Sequence, residues 1–285
     1  VESLFERSTF EVIALKSGYR ASFSALNNQD MIRVRKISGS LREQNVKLMR
    51  IIFDHMVSSS MGKVSFNNWL QVTAEADYET LIYGIYCATF PREVDYTVTC
   101  HHCKAKNIRK ISKNHLVQVI DKNVYQYVDT VINERKSVQE LIRESELNNK
   151  TRVILPESKI VIDIALASID DLISSLRNAE SYGRFEKEIF GYLKHLSNIY
   201  VPVLGSFQKG EPSWLEVTGI EEQANVIANI PFSDRSFLEK AISEKTDKNT
   251  VSYCLPDQAC ASCNEMIKKV SIDMTEVLFQ NIAKG

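Results

Sequence analysis

The sequence predicts an α+β fold with an N-terminal β-hairpin, helical regions and a β part assembled from separated segments. Three observations carry this expectation. Short runs of alternating apolar and polar residues flank turn residues, as at 10–15 and 19–23. Elsewhere apolar residues return every three or four positions, as in Leu41, Leu48, Ile51, Ile52 and Met56. Gly 10 and Pro 6 in 285 residues are about half the usual share, which favours helices over loops.

Taken in order, the first hairpin turns at Lys16-Ser17-Gly18, where glycine suits the turn. Ser40-Leu41-Arg42-Glu43 has the form of a capping box and predicts a helix over 41–57. Thr73 reads as the N-cap of a helix over 74–89 carrying Tyr78, Leu81, Ile82, Ile85 and Tyr86, with Pro91 marking its end. Residues 94–99 and 107–111 predict a second hairpin, 116–120 a short apolar run, and 137–146 a helix through Val138, Leu141 and Ile142. A third hairpin is expected at 152–155 and 160–164 around Pro156-Glu157-Ser158-Lys159. Ile169, Leu172, Ile173 and Leu176 then mark one helix. Phe185, Ile189, Leu193, Leu196 and Ile199 mark another of about four turns, stopped by Pro202. Helices at 219–229 and 234–245 lead to a strand at 250–254, with a last strand at 266–272. The exposed stretch 205–211 is the longest candidate linker. The resulting division is an N-terminal hairpin (1–26), a helical region (27–92), a first cysteine pair with the mid-chain hairpin (93–165), a second helical region (166–249) and a second cysteine pair with a closing strand (250–285).

Four of the six cysteines form two C-x-x-C pairs, Cys100-His101-His102-Cys103 and Cys260-Ala261-Ser262-Cys263. Two residues between thiolates let a tight turn aim both sulfurs at one tetrahedral ion, and two such turns make a four-cysteine zinc site. Each pair interrupts strand-prone sequence, so the two resemble halves of a zinc ribbon. However, 156 residues separate Cys103 from Cys260, where a compact ribbon has about 15–20. The β part is therefore expected to be discontinuous, with the intervening chain inserted. His101 and His102 could replace a thiolate but read better as solvated turn residues. Cys87 reads as a core thiol and Cys254 as a strand residue. A thioredoxin-like redox pair is disfavoured because neither pair opens a helix after a strand.

Composition excludes several functions. The 35 Lys+Arg and 36 Asp+Glu nearly cancel, against the clustered basic excess of a phosphate binder. No G-x-G-x-x-G, G-x-x-x-x-G-K, G-x-S-x-G or H-E-x-x-H motif occurs, and no apolar run reaches 18 residues. Residues 1–10 have no cleavable signal pattern, and a start at Val1 in place of Met is expected of a trimmed or processed chain.

Two alternatives remain open. A zinc-ribbon nucleic-acid or protein adaptor would use Arg33, Arg35, Lys36 and Arg42 with Lys104, Lys106, Arg109 and Lys110. A metal-dependent hydrolase would draw on Asp95, His102 and His115. Asp170 and Asp171 are better read as a helix N-terminal turn than as a catalytic dyad. Trp214, Phe207 and Tyr200 are candidate anchors for a protein partner, with core packing the competing explanation.

The order of these parts is itself informative. Thr73-Ala74-Glu75-Ala76-Asp77-Tyr78-Glu79-Thr80-Leu81-Ile82-Tyr83-Gly84 is followed by Ala88-Thr89-Phe90 and then Tyr96-Thr97-Val98-Thr99-Cys100-His101-His102-Cys103. A late Cys260-Ala261-Ser262-Cys263, Val270-Ser271-Ile272-Asp273-Met274 and Val277-Leu278-Phe279 complete the series. This succession resembles the baseplate hub subunit family of T-even-like and other contractile-tailed bacteriophages over roughly residues 8 to 282. Members of that family usually carry Cys-Pro-x-Cys-Gly at the first knuckle. Here His101 and His102 lie between the cysteines, Lys104 follows, and Pro91-Arg92-Glu93-Val94 precedes. All four thiols are retained.

The resemblance implies a structural virion protein of the tail baseplate, assembled in the host cytoplasm, with Zn2+ as a structural ion. Its implied partners are other hub proteins and the tail tube or tape measure protein. No catalytic residue comes with it, so the chain is not expected to be an enzyme.

Overall fold

The computed structural model describes residues 8–284 apart from 91, 112–115, 120–123, 145, 204–205, 207–211, 248–250 and 269. The fold is α+β, as its sequence predicts. Strands β1 (Thr9–Ala14) and β2 (Tyr19–Ser24) pair antiparallel, with Thr9 opposite Ser24 and Ala14 opposite Tyr19. Gly18 closes their turn at φ 76, a left-handed conformation costly to residues with a Cβ, and its N–H donates to Ala14 O at 2.8 Å. Helix α1 (Asn28–Arg35), inside the helical region expected at 27–92 but not placed individually from the sequence, begins at a capping box between Asn27 and Asp30.

Helix α2 (Leu41–Asp54) starts at the expected Ser40–Glu43 box but stops three residues short of the expected end. The chain leaves it for β3 (Met56–Ser59), which pairs with β2 and makes the hairpin a three-stranded sheet. Ser65 caps α3 (Phe66–Val72), and Thr73 lies at its end rather than capping a following helix. The Thr73 side chain is taken by Tyr19, whose hydroxyl sits 3.0 Å away. Residues Glu75–Asp77 form a 3-10 turn, and α4 (Tyr78–Thr89) begins after it. Pro91, expected to end that helix, lies outside the described residues.

Helix α4 is the plank on which the first core is built. It packs on β1 and β2 through Gly84, where a Cβ would stand 2.9 Å from Phe23 Cδ2 and 3.0 Å from Val12 Cγ1. Next come β4 (Val94–Thr99), β5 (Lys106–Ile111), β6 (Val117–Val119), α5 (Val124–Asn133) and α6 (Val138–Glu144). The β4–β5 hairpin and α6 follow expectation, while α5 carries no expectation from the sequence.

The middle of the chain holds a second core. Strands β7 (Thr151–Ile154) and β8 (Val161–Ile164) form the expected hairpin, and helix α7 (Ile169–Ser181) follows. The four-turn helix expected from Phe185 to Ile199 is instead α8 (Lys187–Leu193) followed by strand β9 (Leu196–Pro202). Leu196 and Ile199 continue a helical spacing by coincidence. Pairing of Leu196 with Ile164 and Ile199 with Ile162 decides the conformation, helped by the strand-prone Ile199-Tyr200-Val201. With β10 (Trp214–Val217) the sheet runs in the order β10-β9-β8-β7 and is antiparallel throughout. Helices α9 (Ile220–Ala228) and α10 (Phe232–Thr246) match expectation and help cover it. Asp234 on α10 accepts the Glu157 and Ser158 N–H groups, both at 2.8 Å, and so ties the β7–β8 turn to the helix.

The end of the chain returns to the first core. Strand β11 (Val251–Leu255) pairs with β6 and with β14 (Val270–Ser271), while β12 (Gln258–Ala259) pairs with β13 (Met266–Ile267). The strand entering the second cysteine pair is thus β12, two residues long, rather than the 250–254 segment. The expected closing strand at 266–272 is present as the short strands β13 and β14, and the chain after it forms helix α11 (Met274–Lys284), whose Met274, Val277, Leu278 and Ile282 are buried in the first core. Tyr253 lies 4.9 Å from Tyr83 between ring centroids and bonds Thr80 through its hydroxyl at 3.0 Å.

Candidate metal centre

Both cysteine pairs sit at hairpin tips that aim them at each other. On β4 and β5, Tyr96, Val98, Asn107, Arg109 and Ile111 face inward and are buried, whereas Asp95, Thr97, Thr99, Lys106, Ile108 and Lys110 face solvent. That alternation fixes the orientation of the Cys100–Cys103 turn. The two turns use one hydrogen-bonding scheme. Cys100 N–H donates to Ala105 O and Lys104 N–H to Cys100 O, and Cys260 N–H donates to Glu265 O and Asn264 N–H to Cys260 O, all at 2.9 Å. Lys104 and Asn264 occupy the matching position and share a left-handed backbone, φ 62 and φ 61.

The four sulfurs converge. Cys100 Sγ lies 3.8 Å from Cys263 Sγ, and Cys103 Sγ lies 3.7 Å from Cys260 Sγ. All four lie within 4.8 Å of one another, so the set could hold one metal ion. Cys100 and Cys260 are 0% and 2% exposed, Cys263 is half-buried and Cys103 is exposed, which gives the cluster a closed side and an open side. Among the described residues this is the one set of three or more His, Cys, Asp or Glu donors placed to share an ion.

Two side chains lock the halves together, Asn107, which the sequence did not single out, and Arg109, which it offered only as part of a basic run. Asn107, on β5, donates from Nδ2 to Cys260 Sγ at 3.4 Å and accepts the Ala261 N–H on Oδ1 at 2.8 Å. Arg109 spans the same gap, donating to Pro256 O at 2.8 Å and to Gln258 O at 3.4 Å. The signal available in the sequence was their position. Both share the inward face of β5 with Ile111, where a polar side chain needs a partner.

The electrostatics of the cluster favour a cation. The Cys263 and Ser262 N–H groups hold the Cys260 thiol below its ordinary range, at about 6, against the effect of burial and with help from Asn107 and Cys103. The Glu265 N–H acts on Cys263 in the same direction. Even so, burial and the neighbouring Cys103, Cys260 and Cys100 thiols push Cys263 up to about 12. Thiolates this close oppose one another's ionisation, and a metal ion at their centre removes the conflict.

No family model, curated protein or solved structure matches this chain.

The other candidates suggested by the sequence do not join the cluster. His101 and His102 are exposed, with ring centroids 4.1 Å apart, and Cys87 and Cys254 lie elsewhere, on α4 and β11. Asp95 is exposed on β4, and His115 lies outside the described residues. Asp171 serves the α7 cap, accepting Ser168 N–H at 2.8 Å and Ser168 Oγ–H at 2.7 Å. Burial, then the neighbouring Asp171, raises Asp170. A cleft of about 470 Å³ lined by Asp170, Lys194 and His195 includes none of the cysteines.

Five of the eight basic residues considered for nucleic acid have partners within the chain. Arg33 pairs with Asp30 and Asp54, Arg35 Nε donates to Ile282 O at 2.8 Å, and Arg42 meets Glu180 at 3.0 Å. Lys104 Nζ donates to His101 O, and Arg109 is occupied as described. Trp214 donates its indole N–H to Lys159 O, and Tyr200 lies under the Arg152 guanidinium at 5.4 Å. Phe207 and the stretch 207–211 lie outside the described residues. Among the described residues no helix is long and apolar enough to cross a membrane.

Proposed function

We propose that Cys100, Cys103, Cys260 and Cys263 hold one structural zinc ion, and that the chain is a non-catalytic component or assembly factor of the central hub of a contractile-tail baseplate. The observation that carries the zinc is the spacing of the thiols. Sulfur pairs at 3.8 and 3.7 Å match the edge, about 3.8 Å, of a tetrahedron whose metal–sulfur bonds are about 2.3 Å. Four protein thiolates fill every position of a tetrahedral ion and leave none for substrate or water, so the ion acts as a staple.

Support for the hub reading is the succession of parts: the acidic-aromatic helix, the Thr-Val-Thr strand into the first C-x-x-C, the mid-chain hairpin and the late second pair. In this reading the partners are other hub proteins and the tail tube or tape measure protein, and the site of action is the virion baseplate after assembly in the host cytoplasm. Elemental analysis of purified protein tests the staple, with one zinc per chain expected and a metal-free, equally stable protein sinking it. Negative-stain imaging and peptide mass analysis of baseplates from the producing phage test the hub assignment. Hubs that assemble normally when this gene is deleted would remove that assignment and leave the zinc question standing.

A further inference from the structure

We infer that the four-thiol cluster is also an oxidative modification site, at which peroxide replaces the metal by two disulfides joining one knuckle to the other. The inference rests on the metal-centre reading and concerns the fate of that centre. Its basis is the pairing of sulfurs and their unequal exposure. Cys103 is exposed while the Cys260 sulfur, 3.7 Å from it, is buried, and Cys100 faces Cys263 at 3.8 Å. Each sulfur belongs to one such pair, and each pair crosses between the halves of the chain. Formation of an S–S bond of about 2.05 Å asks each pair to close by less than about 2 Å, within the reach of side-chain rotation.

An accessible thiolate beside a resolving thiolate is the arrangement that peroxide oxidises selectively. The Cys103 sulfur attacks one peroxide oxygen, the O–O bond breaks, and the departing hydroxide takes a proton to become water. Cys103 is left as a sulfenic acid. The Cys260 sulfur then attacks the Cys103 sulfur, the S–O bond breaks, and the hydroxide released becomes a second water. In sum, two thiolates, one peroxide and two protons give one disulfide and two waters. A second peroxide oxidises Cys100 and Cys263 in the same way. With its donors consumed the metal leaves, yet residues near 100 and 260 stay joined, now covalently. Asn107 and Arg109 hold the hairpins in register during the exchange, since their bonds cross the gap without using the metal.

The test uses the full chain as purified. Metal content is measured first, and hydrogen peroxide is then added in steps while metal release is followed with a chelating dye. Disulfides are mapped at each step by alkylation, proteolysis and mass spectrometry. The expected result is metal release complete by two equivalents, with Cys103–Cys260 appearing before Cys100–Cys263. Links within a pair, Cys100 to Cys103 or Cys260 to Cys263, would overturn the inference. So would sulfinic acid at Cys103 without any cross-link, or thiols and metal unchanged by peroxide.

A protein that carries no metal at the outset fails the metal-centre reading instead, and the disulfide map of that protein still judges the cross-links. Cys87→Ser, which removes a thiol outside the cluster, is expected to give the same map, and a map altered by it would also count against the proposed pairing.

Discussion

The two cores of this molecule are built from the chain in opposite ways. The second core draws its buried residues from one continuous stretch between Leu155 and Leu238, so its strands and helices meet their partners nearby in sequence. The first draws on Val12 to Ile173 and again on Tyr253 to Ile282. Closing a flexible loop of 156 residues is entropically about 3 kcal/mol harder than closing a five-residue turn. The contiguous core needs no device for this. The discontinuous one has three at the same place: four converging thiols, Asn107 and Arg109. The difference teaches that the cross-chain device, four thiols placed to share an ion with Asn107 and Arg109 beside them, sits where chain connectivity is weakest.

The sharpest contrast between the two cores is expected from that staple. Chelation, or Cys260→Ser, should lower the melting temperature by several degrees, at about 2–4 °C for each kcal/mol lost, and restored zinc should reverse the effect of chelation. Hydrogen exchange should accelerate in β4, β5, β12 and β13 while β7 to β10 keep their protection. Equal loss in both cores would break the comparison.

Phe190, buried in the second core against Tyr182 and Phe185, provides the converse. Phe190→Ala should cost about 3–5 kcal/mol and loosen the second core, with zinc stoichiometry unchanged by elemental analysis.

Asn107→Ala leaves the Ala261 N–H without its acceptor, removes one of the donors to the Cys260 sulfur, and should cost about 1–3 kcal/mol. It should also speed metal loss to a competing chelator. Unchanged release would reduce Asn107 to a packing residue.

A smaller effect should appear with pH. Burial, reinforced by Asp273 and opposed by the Met274 N–H, raises Glu79 to about 7 from 4.5. The folded protein therefore keeps a proton that the unfolded chain has already released. The stability from this group is complete below about pH 4.5 and lost as pH rises through about 7. Glu79→Gln keeps an acceptor for Met274, so it should be about 1 kcal/mol more stable than the natural chain near pH 8, the advantage shrinking toward pH 6. Thermal melts at several pH values would show it, and a constant difference would contradict the assignment.

The smallest effect is expected at Lys104. Its left-handed backbone suits glycine, and Lys104→Gly should stabilise the first knuckle by less than about 1 kcal/mol, part of the relief being offset by glycine's greater freedom when unfolded. A loss of stability would mean that the Lys104 contact to His101 O outweighs the strain.

The same contrast governs what was legible in the sequence. Features set by neighbouring residues were visible: the Ser40–Glu43 box, the turn at Gly18 and the two C-x-x-C pairs. Features set by distant partners were not. Thr73 has the chemistry of an N-cap, but its hydroxyl goes to Tyr19. Leu196 and Ile199 keep a helical spacing from Leu193, but pairing with β8 makes them strand. The four thiols announced themselves through repetition, whereas Asn107 and Arg109 carry no motif, and their roles appear only once the chain has folded back.

Helix α11 has a bearing on how the protein is made. It is the last described element to leave the ribosome, yet α1 packs on it, Arg35 reaches its Ile282 carbonyl, and Glu79 accepts its Met274 N–H. At about 5–20 residues per second, helices α1 and α4 wait on the order of 10–50 s for it while the second core can already form. During that interval the faces of α1 and α4 that pack on α11 are uncovered, so crowded synthesis should lower the yield, and low temperature or a holding chaperone should raise it, through the first core alone.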